Sequence, residues 1–294
     1  MTVLVTAANG NQGKLLIPRL MAAGAAVRAC VRSDASAQAL RTVGLTDIVV
    51  GDLSEPDVLS RAMDGIYQVY YVGPALHPAE RATGFAAIDA ARAAGVQQFV
   101  FSSVLHAIIT DLVQHEIKRD LEEHLICSGL EFTILQPANY MLRHRLVPAF
   151  EHGVFRLSWA LDRSQSMVDL DDVTQVAADI LADRDRHAGA TYELVGPGQY
   201  TAYEIASVIS TVAGFDVRTE LIDPDTFLRT ALGTDDLSRL PYQSSTLRAI
   251  CAHYSSHDFV GNPNVLGWLL GRPPTTFAQF VEREFNAFQM REGT

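Results

Sequence analysis

Val3-Leu4-Val5-Thr6-Ala7-Ala8-Asn9-Gly10-Asn11-Gln12-Gly13, running on into Lys14-Leu15-Leu16-Ile17, decides how the chain is read. A short apolar run meets a turn of small residues, and an apolar helical spacing begins at once. That order is strand, phosphate loop, helix. The turn reads Ala-x-x-Gly-x-x-Gly, with Ala7 where a first glycine is usual. Gly10 lets the backbone approach a pyrophosphate, and Gly13 lets the helix pack tightly on the strand. The free N–H groups of the helix start then face the negative charge. The cradle expected from this reading is Ala8, Asn9, Gly10, Asn11, Gln12 and Gly13. Small residues also make ordinary turns, but the strand–turn–helix context favours a nucleotide site.

Working outward, strands and helices alternate through the first half. Strand-like runs are Val27–Val31, Asp47–Val50, Val69–Val72, Gln98–Phe101 and Phe132–Leu135. Helical text begins near Ser54-Glu55-Pro56-Asp57, with Ser54 as the expected cap, and continues over Glu80–Ala94 and Leu112–Cys127. Repeated βα units with short connections predict an α/β fold: a Rossmann-type, doubly wound parallel sheet. Ligands of such sheets bind at the carboxyl ends of the strands. The loops at Ala7–Gly13, Arg32, Asp52, Gly73-Pro74, Ser102-Ser103 and Pro137–Tyr140 are therefore expected to converge on one crevice. After about residue 150 the pattern loosens. Phe155–Trp159, Met167–Leu170 and Thr191–Val195 read as short strands, and Asp171–Leu181 and Thr201–Val212 as helices. Pro224 to Gly261 is polar with irregular Leu and Phe. The expected division is 1–153 for the sheet domain and 154–294 for a smaller C-terminal α+β lobe, with about 166–196 returning to the sheet.

The 294 residues include 34 acidic and 23 basic ones, a formal charge of −11. This disfavours nucleic acid, which needs clustered Lys and Arg, and an anionic membrane surface. No apolar run approaches the ~18 residues of a membrane helix. Three cysteines, Cys30, Cys127 and Cys251, form no CxxC pair and no disulfide framework. Residue 3 already begins a strand, leaving no room for a signal peptide. A reducing, cytoplasmic setting is the expectation. His253 and His257 sit four apart in text that reads as a polar loop, and no metal site is expected.

Arg32 follows the second strand, where dinucleotide folds meet the adenosine ribose. A guanidinium there suits a 2′-phosphate, and so NADP(H); the other reading is a solvated surface arginine. Asp52-Leu53 ends the third strand, where a carboxylate either holds the adenine amino group or caps a helix. Val113, Ile117, Leu121 and Leu125 form an apolar stripe, with Gln114 and Lys118 at its border. Lys118 can bury its stem and aim its ammonium at the crevice, or snorkel to the surface. Gln114 does not titrate and cannot act as an acid. The remaining polar groups near the crevice are Ser102, Ser103, His106, His115, Asn139 and Tyr140. On the helical wheel His115 falls opposite Ile117, on the exposed side, and Tyr140 either packs or donates a proton.

Together these residues resemble the NmrA-like branch of the atypical short-chain dehydrogenase/reductases, near the isoflavone-reductase relatives. The matching text is Thr6–Gly13, Arg32, Gly51-Asp52-Leu53, Phe101-Ser-Ser103, Lys118-x-x-x-Glu122, Ser128-Gly129-Leu130 and Thr133-Ile-Leu-Gln-Pro137. Asp171-Asp-Val173, Ala190–Pro197 and Trp268–Pro274 extend it over most of the chain. The resemblance implies a Rossmann fold with a substrate lobe, a preference for NADP(H), and a cytoplasmic monomer or homodimer acting on a small molecule. It also implies that Lys118 matches the lysine used by family reductases as base or as nicotinamide-ribose ligand. The cofactor would be held by the cradle with Arg32, Asp52, Leu53, Val72, Gly73, Pro74, Ser102, Ser103, Lys118, Pro137 and Asn139. Catalysis would fall to Lys118 with His115, Tyr140 or water as proton source. Gln114 stands where ordinary short-chain dehydrogenases carry a tyrosine acid, which rules out that mechanism. The activity so implied is NADPH-dependent reduction of a largely apolar carbonyl, quinone or polarised C=C/C=N compound, with the substrate stacked on the nicotinamide under the lobe. Because some relatives are regulators, the alternative is a non-catalytic NADP-binding sensor acting through a protein partner.

Overall fold

The computed structural model describes residues 1–292 of the chain, which divide into two compact units. The first comprises Met1–Pro137 and Leu170–Glu193. Its elements run β1 (Thr2–Val5), α1 (Gly13–Ala22), β2 (Ala26–Val31), α2 (Asp34–Arg41), β3 (Ile48–Val50) and α3 (Pro56–Met63). They continue with β4 (Gln68–Val72), α4 (Glu80–Ala93), β5 (Gln98–Ser102), α5 (Val113–Cys127) and β6 (Phe132–Pro137). The second unit comprises Ala138–Asp169 and Leu194–Thr294. It opens with β7 (Asn139–Tyr140), α6 (Arg143–His152), β8 (Val154–Leu157) and β9 (Met167–Val168). The chain then returns to the first unit for α7 (Leu170–Ala182), α8 (Arg184–His187) and β10 (Ala190–Leu194). The rest of the second unit is α9 (Ala202–Ala213), β11 (Arg218–Leu221), α10 (Pro224–Leu232), α11 (Pro241–Ser256), α12 (Asn264–Leu270) and α13 (Phe277–Glu292).

The main sheet has the order β10-β6-β5-β4-β1-β2-β3. Strands β1 to β6 pair in parallel, so their carboxyl ends lie along one edge. The chain passes from β1 outward to β3 and then back across to β4. The order thus reverses between β1 and β4, the place where such sheets open a crevice. Strands buried on both faces need no alternation, and β4 and β5 read accordingly: Tyr70, Tyr71, Phe99 and Phe101 are at most 1% exposed. The stripe predicted on α5 holds, with Ile117, Leu121 and Leu125 in the core beside α4. A Cβ on Gly84 of α4 would lie 2.5 Å from a Leu121 methyl, so the glycine sets the α4–α5 approach.

Several readings are corrected. The first unit leaves off at Pro137, before residue 153, because β7, α6 and β8 already pair within the second unit. Helix α3 starts at Pro56 with Glu55 as its N-cap, and Ser54 instead donates its N–H to Asp52 Oδ1 at 2.8 Å. The polar stretch after Pro224 is largely helical. His253 lies in the last turn of α11 and His257 caps it, their rings 4.7 Å apart. Polar composition hid these helices because α11 has only scattered buried positions, among them Ser244 and Thr246. No group of His, Cys, Asp or Glu among the described residues could hold a metal, and no helix among them is long and apolar enough to cross a membrane.

The opening turn carries strain where a glycine is usual. Ala7 sits at φ +46°, in the left-handed region, and Gly10 N–H donates to its carbonyl at 2.8 Å. A left-handed alanine costs about 1–2 kcal/mol, and glycine returns about half of that as unfolded-chain entropy. Ala7→Gly is therefore expected to raise Tm by about 1–3 °C. Gly13→Ala is expected to cost about 1–3 kcal/mol by overpacking, since its Cβ would overlap the Ala8 carbonyl. Thermal unfolding of both variants checks the pair; a fall in Tm for Ala7→Gly would show that the turn carries no strain.

Candidate functional site

The cradle forms as the spacing requires. Helix α1 has no side-chain cap and no acid in its first turn, so its N-terminus is left for an anion. Gly13 lies against the Ala8 backbone, with the ideal Cβ position 2.6 Å from the Ala8 carbonyl carbon. At Gly10 a Cβ would lie 2.9 Å from the Ala7 oxygen. Ala8 is fully buried, whereas Gly10 and Asn11 are exposed. Asn9 donates to Ser36 Oγ at 3.2 Å, tying the turn to α2. Gln12, buried, accepts from Tyr70 Oη and donates to Ser102 Oγ at 3.0 Å, which fixes the loop to the middle of β4 and the end of β5. Thr6 performs the same service between β1 and β4: its hydroxyl accepts from Val72 N–H at 2.7 Å and donates to the Val72 carbonyl at 3.0 Å.

Beyond β2, Arg28 is committed to Asp47 at 2.9 Å and to the carbonyls of Arg61 and Asp64. Arg32 is exposed at the strand end, beside Ser33, which caps α2. Asp52 accepts from Ser54 N–H, and that bond, with lesser pulls from His77 and Arg32, holds its carboxyl below the usual range. Leu53 packs against the core. An exposed guanidinium and a committed carboxylate at this edge fit a phosphorylated ribose better than a bare one. Together with a cradle that a single Cβ would fill, they fit a dinucleotide carrying a 2′-phosphate.

The side chain of Lys118 is only 12% exposed, and its Nζ lies 2.8 Å from Glu80 Oε1. Glu80, 1% exposed, is the first residue of α4. A Cβ on Gly73 would lie 3.2 Å from both Lys118 Nζ and Glu80 Oε1, so the pair faces the backbone just past β4. Lys118 Nζ also stands 5.3 Å from the Phe101 ring centroid. One turn on, Glu122 accepts from Ser103 Oγ and from Gln136 Nε2 at 2.9 Å, while burial pushes its carboxyl up. Tyr71 Oη, close enough to feel the Glu80 charge, is buried without a hydrogen-bond partner, and burial pushes its pKa up. The structure thus brings Gly73, Ser103 and Lys118 of the predicted set to one place, with Val72 and Pro74 beside them. It adds Glu80, which the sequence reading passed over as the start of an alanine-rich helix. The signal was present: Thr83-Gly84, Ala87-Ile88 and Ala91 form a buried stripe that extrapolates back to position 80.

His115 is corrected. It is 4% exposed, and its Nδ1 donates to the His106 carbonyl at 2.9 Å. His106 turns the chain back at φ +57°, and that turn supplies the acceptor the wheel could not show. The bond to a carbonyl places the ring proton on Nδ1, so Nε2 donates only in the imidazolium form. Gln114 Oε1 is buried without a partner. Pro137 closes the first unit, and Asn139 and Tyr140 belong to the second. There Asn139 donates to Gln165 Oε1 at 3.1 Å and accepts from Tyr254 Oη at 3.4 Å, and Tyr140 lines an apolar pocket.

Removing one partner of a buried ion pair leaves the other charge unbalanced. Glu80→Ala is expected to destabilise the protein by about 3 kcal/mol, and Glu80→Gln by less. Equal unfolding midpoints for the native protein and Glu80→Ala would show that the pair contributes nothing to stability.

Residues 1–245 match the NmrA-like family. The chain is 28% identical over 294 residues to the NAD(P)H azoreductase of Xenophilus azovorans, covering 97% of this chain and 99% of that protein. It is 27% identical over 290 residues to quinone oxidoreductase 2 of Escherichia coli K12, covering 97% and 99%. The crystal structure of the NADPH-dependent quinone oxidoreductase of Escherichia coli complexed with NADPH superposes with a TM-score of 0.77 at 25% identity, covering 96% of this chain and 99% of that one. With its sheet order, its glycine cradle and a family match over most of its length, the chain belongs to the NmrA-like family.

Proposed function

We propose that this NmrA-like protein is an NADPH-dependent reductase of small organic acceptors bearing a carbonyl, quinone, azo or polarised C=C/C=N group. The observation that carries the reading is the ammonium of Lys118, held by Glu80 against the Gly73 backbone at the carboxyl edge of the sheet. Two reductases that match over nearly the whole chain support it and favour turnover over cofactor sensing. NADPH, when bound, supplies the hydride. Ala8 to Gly13 would hold the pyrophosphate, and Arg32 the 2′-phosphate. Lys118 would hold the nicotinamide ribose and stabilise negative charge developing on the acceptor. Its ion pair with Glu80 holds the ammonium near the Gly73 backbone, so the charge is in place before the acceptor arrives. Reduction also requires a proton. His115 is one source, provided that it is protonated at Nε2; Tyr140 and water are the others.

A panel of quinones, azo compounds and enones tests the reading by loss of NADPH absorbance. Lys118→Ala is expected to lower turnover by roughly 10²–10³-fold while NADPH affinity changes far less. Failure of the native protein to reduce any panel member would reject the reductase reading; full turnover by Lys118→Ala would reject the role of the lysine. Arg32 is expected to favour NADPH over NADH by about 1–3 kcal/mol, and Arg32→Asp to erase that preference without unfolding the protein. Equilibrium titration of both nucleotides against both proteins measures it, and equal affinities in the native protein would remove Arg32 from the site. His115→Gln, losing turnover most at low pH, where the native ring is protonated, would identify the imidazolium as the donor.

A further inference from the structure

The second unit contains a pocket of about 500 Å³, its open mouth included. Its walls are largely apolar, with Met141, Phe155 and Phe277 among them. Two arginines, Arg145 on α6 and Arg163 between β8 and β9, also line it, and no aspartate or glutamate does. In a chain with 34 acidic residues and a charge of −11, that is a local reversal of sign. Among the described residues neither guanidinium has a carboxylate within ion-pair distance. Arg145 lies 5.5 Å from the centre of the Trp159 ring, which holds one face of the guanidinium. Arg145 is exposed, and the titratable groups beside it, Tyr254 and Cys251, carry no balancing charge, because burial pushes both thiol and phenol up. Arg163 Nε is buried with no acceptor. Gln165 lies in the same wall. Its Oε1 is taken by Asn139, and its Nε2 is buried without an acceptor.

The wall therefore has a surplus of donors and of positive charge. An arginine cannot discharge itself by losing a proton, and a donor left buried without an acceptor, as at Arg163 Nε, is costly. Ions that pay off this cost come from outside: an acceptor-only group with negative charge satisfies both shortages at once. We infer that this pocket takes a flat apolar molecule bearing an anionic substituent, a carboxylate, sulfonate or phosphate ester, held by Arg145 and Arg163. The inference rests on the reductase reading only in making that molecule the acceptor; the binding itself stands apart from turnover.

Calorimetric titration of the full chain, with and without NADPH, compares 2-naphthoate with its neutral isostere 2-naphthamide. The naphthoate is expected to bind at least about tenfold more tightly, the scale of one charge-assisted contact. Arg145→Gln and Arg163→Gln are each expected to remove most of that preference while leaving naphthamide affinity unchanged, which also reports that the pocket is folded. Arg145→Lys is expected to keep part of it. Equal affinities of the native protein for the two compounds would overturn the inference. So would a preference that survives in the double Gln variant, or one abolished by NADPH, which would place the anion in the phosphate cradle. A second arm compares turnover of neutral and carboxylated azobenzenes. Arginine-dependent naphthoate binding with no reduction of any acceptor would retain the anion pocket and reject the reductase reading. Reduction of both azobenzenes by a protein that binds naphthoate and naphthamide equally would retain the reductase and reject the anion pocket.

Discussion

At the start of the chain the backbone of α1 lies against the backbone of the preceding turn so closely that a methyl group does not fit between them. That approach, at Gly13 on Ala8, points the uncapped end of the helix at the carboxyl edge of β1, next to the reversal in strand order. Much else in the first unit serves to keep it there. Thr6 bolts β1 to β4 through both hydrogen-bonding groups of Val72, and Gln12 runs from the loop to Tyr70 and Ser102. The loop is therefore tied by side-chain hydrogen bonds to two strands, β4 through Tyr70 and β5 through Ser102.

A second constraint is electrostatic. Lys118 and Glu80 are both largely withdrawn from water, and each makes the other tolerable there. Such a pair contributes little net stability compared with an apolar substitute, but it does fix where a charge sits. Glu122, one turn along α5 and bound by Ser103 and Gln136, adds a second carboxylate close enough to act on the same ammonium. The lysine is thus presented as a charge of defined position rather than as a flexible surface arm.

What could be read from the sequence followed from period and local chemistry. The glycine cradle, the parallel βα order and the stripe on α5 all come from short-range spacing, and all are present in the fold. What could not be read depended on partners distant in sequence. The burial of His115 follows from the left-handed turn at His106, nine residues earlier. Glu80 becomes a site residue only when α5 brings Lys118 to it, although its place at the head of a buried stripe already called for a counter-charge. The helices after Pro224 escaped because their few buried positions include serine and threonine, which do not register as a hydrophobic period.

The division of the chain has a consequence for how the protein is made. The first unit is discontinuous: it stops at Pro137 and resumes at Leu170 to supply α7 and β10. Helix α7 binds Arg19 of α1 through Asp171 and Gln175, and β10 covers the outer edge of β6. During synthesis the sheet therefore carries an unpaired edge at β6 until residue 194 is available, by which time β7, α6 and β8 of the other unit have already emerged. Open strand edges invite mispairing. The phosphate loop, complete after a dozen or so residues of local sequence, belongs to a sheet that is among the later parts of the molecule to be closed.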